Sequence, residues 1–190
     1  ADIHCLGKDI LRFHTILWPA MLLSANLPLP KKIFVHGYLT IEGQKLSKSL
    51  GKIIDPFDLA EKYGSEALRY YLLREFSATE DGDFSVRRLE ERYQADLANG
   101  LGNLTARILT LSEKAQLIAP DKYEGDFLRK NLTLIQRKYN QALEEINFRE
   151  ALGAIWEFIS LCDEYLERNK PWELIRTNQN KFKEVLKNLL

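Results

Sequence analysis

Apolar residues in the first third of the chain predict a strand, a helix and a second strand. Residues 1–6 and the run Ile33-Phe34-Val35 are short apolar stretches beside turn residues, a pattern typical of buried strands. Between them, apolar residues repeat at helical spacing at Ile10, Phe13, Leu17 and Met21. Asp9 precedes this repeat and is predicted to cap the helix. Such a unit predicts the end of a parallel α/β sheet, in which ligands lie at the carboxyl ends of the strands.

The next stretch, residues 53–84, predicts two short helices and a polar turn. Asp55 and Pro56 are a typical helix start, and Gly64 is a typical helix end. Ser65 is predicted to cap the second helix, which runs to Glu75. Residues 77–84 are polar and predict a turn. We interpret 53–84 as a connecting module that carries no chemistry of its own.

Residues 85–190 predict a bundle of amphipathic helices. Ser85 is predicted to cap a long helix with an uninterrupted apolar face, and Asn147 is predicted to cap a later one. The predicted inward positions of the four helices are Leu89, Tyr93, Leu97, Leu101, Leu104, Ile108 and Leu111; Leu132, Ile135, Tyr139, Leu143 and Ile146; Leu152, Ile155, Ile159, Cys162 and Leu166; and Phe182, Val185, Leu186 and Leu189. Gly100 and Gly102 each weaken a helix by about 1 kcal/mol relative to Ala, so we expect another group to approach closely there. The fold class is therefore α/β followed by all-α, with an antiparallel helical bundle.

Charge is balanced over the whole chain but not along it. The 27 basic and 27 acidic residues give no net charge, so nothing global indicates a nucleic-acid-binding protein. The segment from Lys31 to Lys52, however, contains five lysines and one acidic residue, and the segment from Arg168 to Leu190 contains six basic and two acidic residues. Two separate contacts with anionic partners are therefore expected.

Cysteine content and hydropathy exclude several other classes. Cys5 and Cys162 are far apart and have no CxxC or HxxxH partner, so we expect neither a disulfide framework nor a metal site in this chain. This composition fits a cytoplasmic setting. No apolar run approaches the roughly 20 residues that span a bilayer, so no membrane partner is expected. The chain begins inside a predicted strand without an initiator Met, and we expect it to be a piece of a longer protein.

The segment from Gly43 to Lys52 is the strongest candidate for chemistry. It places two lysines and two serines between Gly43 and Gly51, so ammonium groups and hydroxyl donors can close over a phosphate, and Lys52, just after Gly51, is expected to be solvated. The alternative is a solvated lysine loop. The five residues Lys45-Leu46-Ser47-Lys48-Ser49 resemble the KMSKS signature of class I aminoacyl-tRNA synthetases, with Leu46 where Met is usual. Leu and Met have similar volumes, so this departure is conservative.

Further motifs in the same order resemble the methionyl-tRNA synthetase family. They are Gly7-Lys8-Asp9-Ile10-Leu11-Arg12-Phe13-His14, then Trp18-Pro19-Ala20-Met21, then His36-Gly37-Tyr38. The resemblance implies that residues 1–52 are the end of a Rossmann-like catalytic domain and that residues 85–190 form the anticodon-binding domain. Residues 53–84 would then connect these two domains. It also implies ATP with Mg²⁺, methionine and tRNA(Met) as substrates and partners.

The resemblance assigns roles to individual residues around the predicted sheet. Lys45 and Lys48 would contact the phosphates during catalysis. The other ATP-binding residues would be Gly7, Asp9, His36, Ser47 and Ser49, and the methionine pocket would include Ile10 and His14. Asp9 could instead serve only as a helix cap, and His14 could be an ordinary core residue. We interpret Trp18 first as a core residue and then as a pocket wall.

A second set of residues in the helical part points to tRNA. Asn99, Asn103 and Arg107 are four residues apart, so they predict a polar ridge opposite the apolar face. By the resemblance this ridge reads the anticodon, and Trp172 stacks on an anticodon base. The alternatives are a solvated helix face and a Trp that plugs the end of the bundle.

The resemblance also predicts what this chain lacks. None of its histidines begins an HxGH motif, which lies upstream in the family together with an inserted domain that often binds zinc. We therefore expect residues 1–190 alone not to form the adenylate, and a separate or appended tRNA-binding module is possible in the parent. The competing interpretations are a class I synthetase for leucine, isoleucine, valine or cysteine, and a tRNA-binding protein without enzymatic activity.

Overall fold

The computed structural model describes residues 1–41, 44–45, 54–117 and 126–190. The chain divides into two compact units, Ala1–Arg88 and Leu89–Leu190. Among the described residues, no helix is both long and apolar enough to cross a membrane.

The first unit begins with two parallel strands, β1 (Ile3–Gly7) and β2 (Lys32–His36). Their register runs from Ile3 opposite Lys32 to Gly7 opposite His36, so both strands end at one edge. Between them lie a 3-10 turn (Lys8–Ile10), a π-helical turn (Phe13–Leu17) and helix α1 (Trp18–Ser24). The predicted strand, helix and parallel strand are therefore confirmed.

The prediction that Asp9 caps the helix is wrong. The strand continues through Gly7, whose backbone is extended, and the first turn already begins at Lys8. Asp9 thus lies inside that turn, and no side chain caps it. A capping side chain must come from the extended residue just before the turn, and glycine has none.

A second small sheet follows, built from β3 (Leu39–Ile41), β4 (Gln44–Lys45) and β5 (Gly82–Phe84). β3 lies in the middle, antiparallel to β4 and parallel to β5. Residues 82–84 were expected to be part of a turn, and this expectation is wrong. Three residues are too few to produce a periodic pattern, and the strand exists because its backbone pairs with β3.

Helices α2 (Pro56–Tyr63) and α3 (Ser65–Glu75) complete the first unit. Asp55 Oδ1 accepts the Phe57 N–H at 2.8 Å, and Gly64 ends α2 at a φ of +88°, so the predicted start and end of this helix are confirmed. Ser65 does not cap α3, because it is already helical and Gly64 precedes it. The buried Tyr71 packs edge-on against Phe76 and Phe84.

The second unit is helical. Its elements are α4 (Val86–Arg92, which begins in the first unit), a π-helical stretch (Tyr93–Gly102), α5 (Asn103–Lys114), α6 (Asp126–Glu144), α7 (Phe148–Asn169), α8 (Pro171–Thr177) and α9 (Gln179–Lys187). Asn147 Oδ1 accepts the Glu150 N–H at 3.3 Å, which confirms the predicted cap of α7. The predicted last helix corresponds to α9, which the side chain of Asn178 caps, and α8 is an additional short helix that was not predicted.

The predicted close approach at the glycines is confirmed at Gly100. A Cβ atom there would lie 3.2 Å from Cζ3 of Trp156, so only a residue without a side chain leaves this ring in place. The same π-helical stretch explains why two predicted inward residues, Tyr93 and Leu101, are exposed. A π-helical turn contains more residues than an α-helical turn, which rotates these side chains away from the apolar face.

The buried residues of α6 and α7 also differ from the prediction. Leu132, Leu143 and Ile155 are exposed, whereas three alanines are buried instead. These are Ala142, Ala151 and Ala154. The two helices contact each other, and small side chains permit a short distance between helix axes, so the faces in contact are not those with the largest residues.

Cys162 belongs to the apolar cluster of Leu104, Ile108 and Leu166. Burial raises the pKa of its thiol to about 11. A raised pKa reduces the reactive thiolate at every pH below it, so at pH 8 only about one thiol in a thousand is ionised. Cys5, by contrast, is exposed.

We therefore predict that iodoacetamide at pH 8 labels Cys5 and leaves Cys162 largely unmodified in the folded chain. Mass spectrometry of tryptic peptides measures both sites in one sample. The Cys5→Ser chain should take up label only after denaturation in urea. Equal labelling rates at the two cysteines without urea would contradict the buried position of Cys162.

Candidate functional site

The carboxyl ends of β1 and β2 bring several predicted site residues together. Gly7 and His36 are register partners at this edge. A Cβ atom on Gly7 would lie 2.8 Å from Asp9 Oδ1, 3.8 Å from His36 Cε1 and 3.9 Å from Tyr38 Cε1. The carboxylate, the imidazole and the phenol ring thus surround the bare glycine backbone. This arrangement offers a hydrogen-bond acceptor and two aromatic rings to a ligand that approaches the backbone closely.

The edge is reinforced by a residue that the sequence did not single out, Asp81. Its Oδ1 accepts hydrogen bonds from Lys8 Nζ and from the Tyr38 N–H, both at 2.7 Å. The Lys8 ammonium also lies 5.7 Å from the centroid of the Tyr38 ring. The partners of Asp81 are 73 and 43 positions away, so no local pattern could indicate them.

Ile10 and His14 lie one helical turn apart, just beyond this edge. His14 Nδ1 is 3.1 Å from the Ile10 carbonyl oxygen. A carbonyl only accepts hydrogen bonds, so Nδ1 is the donor in this contact. The His14 ring also meets that of His4 edge-on, with centroids 6.3 Å apart. The interpretation of Trp18 as a core residue is wrong, because it is 40% exposed.

The lysine segment is described only in part. Lys45 lies in β4, where its Cα is opposite Thr40. Ser47, Lys48 and Ser49 lie outside the described residues. The phosphate contacts of these residues stay predictions.

The helical unit brings Arg107 and Trp172 together. The Arg107 guanidinium carbon lies 5.3 Å from the centroid of the Trp172 ring, a cation–π contact. Both residues line an open groove of about 300 Å³ with Ala106, Thr110 and Leu111. The indole is partly exposed, so one planar cation and one aromatic ring are available at the surface.

Arg107 is fixed by two carboxylates of α7. Its Nη2 donates to Glu167 Oε1 at 2.6 Å, and its Nη1 donates to Asp163 Oδ1 at 3.3 Å. These partners are 60 and 56 residues away and were not predicted. They occupy part of the N–H edge of the guanidinium, whose carbon lies near the indole.

The predicted ridge of residues one α-helical turn apart is wrong at Asn99, whereas Asn103 and Arg107 lie four residues apart in α5. Asn99 lies in the π-helical stretch, and the Asn103 N–H bonds to the carbonyl of Ala98, five residues back. Asn99 Oδ1 accepts a hydrogen bond from Gln94 Nε2 at 3.3 Å, and Asn103 is exposed. Asn99 therefore falls outside the regular α-helical row of Asn103 and Arg107. Their contact with a nucleic acid stays a prediction.

Known proteins resemble this chain over its whole length. The family model described as tRNA synthetases class I (M) matches residues 1–109. The methionine–tRNA ligase of Thermotoga maritima is 44% identical, and the alignment covers 100% of this chain and 31% of the relative. The methionine–tRNA ligase of Synechocystis sp. is 39% identical, and the alignment covers 100% of this chain and 37% of the relative.

Solved structures agree with these sequence relatives. The Mycobacterium tuberculosis methionyl-tRNA synthetase in complex with methionyl-adenylate superposes with a TM-score of 0.89 at 36% identity, covering 99% of this chain and 38% of that one. The chain thus spans about a third of the length of the proteins it matches. On this similarity of sequence and fold, the chain belongs to the methionyl branch of the class I tRNA synthetases.

Proposed function

We propose that the parent protein is a methionine–tRNA ligase. It would join methionine to ATP, which forms methionyl-adenylate and pyrophosphate, and then transfer the methionyl group to the 3′-terminal ribose of tRNA(Met). The observation that carries this proposal is the cluster of Gly7, Asp9 and His36 at the carboxyl ends of two parallel strands. Such edges are the usual nucleotide sites of parallel α/β sheets.

The proposed organisation has three parts. Residues 1–52 end the catalytic domain, residues 53–84 connect it to the helical part, and residues 85–190 form an antiparallel bundle that binds the anticodon. The anticodon-binding assignment is supported by the cation–π contact between Arg107 of α5 and Trp172 of α8, which both line a surface groove.

At the nucleotide site, each residue has a chemically distinct role. The exposed carboxylate of Asp9 accepts hydrogen bonds from two ribose hydroxyls, which suits an acceptor-only group. Gly7 lets the nucleotide approach the backbone, because a Cβ atom would collide with the Asp9 carboxylate. His36 Cε1 lies 3.8 Å from the same Cβ position, so its ring can contact the adenine.

The lysine segment stabilises the charge that develops in the reaction. When the methionine carboxylate attacks the α-phosphorus, negative charge increases on that phosphate and on the departing pyrophosphate. Lys45 and Lys48 neutralise this charge, and Ser47 and Ser49 donate hydrogen bonds. Mg²⁺ enters with ATP and supplies further positive charge. The attacking carboxylate is already ionised, so positioning and electrostatics suffice and no general base is needed.

The methionine pocket includes Ile10 and His14. The hydrogen bond from His14 Nδ1 to the Ile10 carbonyl fixes the orientation of the ring. A neutral imidazole beside the apolar Ile10 side chain suits an uncharged, polarisable thioether.

The anticodon site uses the Arg107–Trp172 pair as a stacking surface. Unpaired bases bind proteins by stacking on aromatic rings and on arginine planes. The carboxylates of Asp163 and Glu167 already neutralise the guanidinium edge, so this arginine is better suited to a base than to a phosphate. Asn103 is exposed and can add hydrogen bonds to base edges.

The first test is the amino-acid dependence of pyrophosphate exchange by the full-length parent enzyme. Methionine should support exchange, because the proposed pocket matches its side chain. Leucine, isoleucine, valine and cysteine should not. Exchange with one of these four instead would indicate another class I synthetase, and no exchange with any amino acid would indicate a tRNA-binding protein without this activity.

The role of the lysines is tested by Lys48→Ala in the full-length enzyme. Loss of a donor to developing negative charge should raise the activation free energy of adenylate formation by about 3 kcal/mol. Pyrophosphate exchange measures this, and tRNA binding should hardly change. Lys52→Ala is the matched control, since it removes the same charge from a position expected to be solvated. Equal losses in the two variants would contradict a specific contact by Lys48.

The anticodon site is tested by Trp172→Ala. Loss of one stacked base should weaken tRNA(Met) recognition by about 1 to 3 kcal/mol, measured as kcat/KM for aminoacylation. Adenylate formation should be unaffected, and Trp172→Phe should restore most of the loss because it keeps an aromatic face. Unchanged discrimination between tRNA(Met) and an anticodon-swapped tRNA would exclude this assignment.

A further inference from the structure

Asp81 connects the two turns that carry the proposed nucleotide-binding residues. One oxygen of its carboxylate, Oδ1, accepts a hydrogen bond from Lys8 Nζ and another from the Tyr38 N–H, each 2.7 Å long. Lys8 lies beside Asp9 in the turn after β1, whereas Tyr38 lies in the turn after β2. A single oxygen atom therefore joins the two turns beyond the last pair of the strand register.

The backbone holds Asp81 in this place. The Gly82 N–H donates to the Tyr38 carbonyl at 2.8 Å, and the Gly37 N–H donates to the carbonyl of Ala78 at 3.0 Å. A Cβ atom on Gly37 would overlap the backbone carbonyl of Glu80, so this approach requires glycine. The carboxylate is thus positioned by main-chain contacts on both sides of it.

The ion pair between Lys8 and Asp81 contributes more to the geometry of the two turns than to the stability of the fold. The Lys8 and Asp81 side chains are 41% and 54% exposed, and exposed ion pairs stabilise a fold very little. Hydrogen bonds to an ionised acceptor are nevertheless short and directional. Removal of the carboxylate should therefore loosen the two turns without unfolding the unit.

We propose that Asp81 is a positioning residue for nucleotide binding in the parent enzyme. This inference rests on the proposed function, because it takes Gly7, Asp9 and His36 as the nucleotide contacts. Asp81 contacts Lys8 after β1 and Tyr38 after β2. These contacts keep a fixed distance between Asp9, which binds the ribose, and His36, which contacts the adenine. Oδ1 of Asp81 is engaged by these two protein donors, so Asp81 acts through Lys8 and Tyr38 and not by direct contact with the nucleotide.

The test is steady-state pyrophosphate exchange with the full-length enzyme and its Asp81→Ala variant. The KM for ATP should rise about tenfold, the ratio that corresponds to roughly one lost hydrogen-bonding contact, with kcat and the KM for methionine nearly unchanged. Asp81→Asn keeps an oxygen acceptor for the Tyr38 N–H but removes the charge opposite Lys8, so its KM for ATP should fall between those of the wild type and Asp81→Ala. The melting temperature should be the same for all three proteins.

Asp83→Ala is the matched control. Asp83 lies two residues further along the chain in β5, and its Oδ1 accepts a hydrogen bond from Thr40 Oγ1 of β3 at 2.7 Å. This variant also removes an exposed carboxylate and should leave the KM for ATP unchanged. Equal effects of Asp81→Ala and Asp83→Ala, or a fall in melting temperature that accompanies the change in KM, would assign Asp81 a purely structural role and overturn the inference.

Asp9→Asn separates this inference from the proposed function. If Asp9→Asn raises the KM for ATP and Asp81→Ala does not, the nucleotide site stands and the role of Asp81 is wrong. If neither substitution changes the KM for ATP, the nucleotide site itself is misplaced and both proposals fail.

Discussion

Parallel pairing of β1 with β2 is the constraint on which the first candidate site depends. The register places Gly7 opposite His36, so the two strands end together and their following turns begin at the same edge. A shift by one residue would turn alternate side chains to the opposite face of the strand and separate Asp9 from His36. The pairing itself is made by backbone hydrogen bonds, and the side chains at the edge are therefore free to serve a ligand.

Both units hold a cation against an aromatic ring by means of distant carboxylates. In the first unit, Asp81 holds Lys8 near the Tyr38 ring. In the second unit, Glu167 holds Arg107 over the Trp172 ring, with Asp163 as a second acceptor. A long basic side chain loses conformational entropy when it is ordered for binding, and a prior ion pair removes part of that loss before the ligand arrives. The balance of acidic and basic residues in the composition thus reflects local pairing as well as solubility.

π-Helical turns occur beside both candidate sites. One contains His14, and the other contains Asn99. The wider turn displaces side chains from the regular α-helical rows, and such turns are frequent at functional sites. In the second unit the same stretch includes Gly100, where the Trp156 ring occupies the space of a side chain. Local helix geometry therefore sets which residues near Arg107 reach the surface.

The sequence by itself determined β1 and β2, the helix ends at Asp55, Gly64 and Asn147, and the family motifs, because each depends on neighbouring residues or on a fixed spacing. Only the tertiary structure decided that Asp81 joins two turns, that Arg107 pairs with carboxylates of α7, and that alanines are among the buried residues of α6 and α7. These features depend on partners tens of residues away, and on the extra residue in a π-helical turn, neither of which produces a local pattern. The contacts of the lysine segment stay predictions of the sequence, since Lys48 lies outside the described residues.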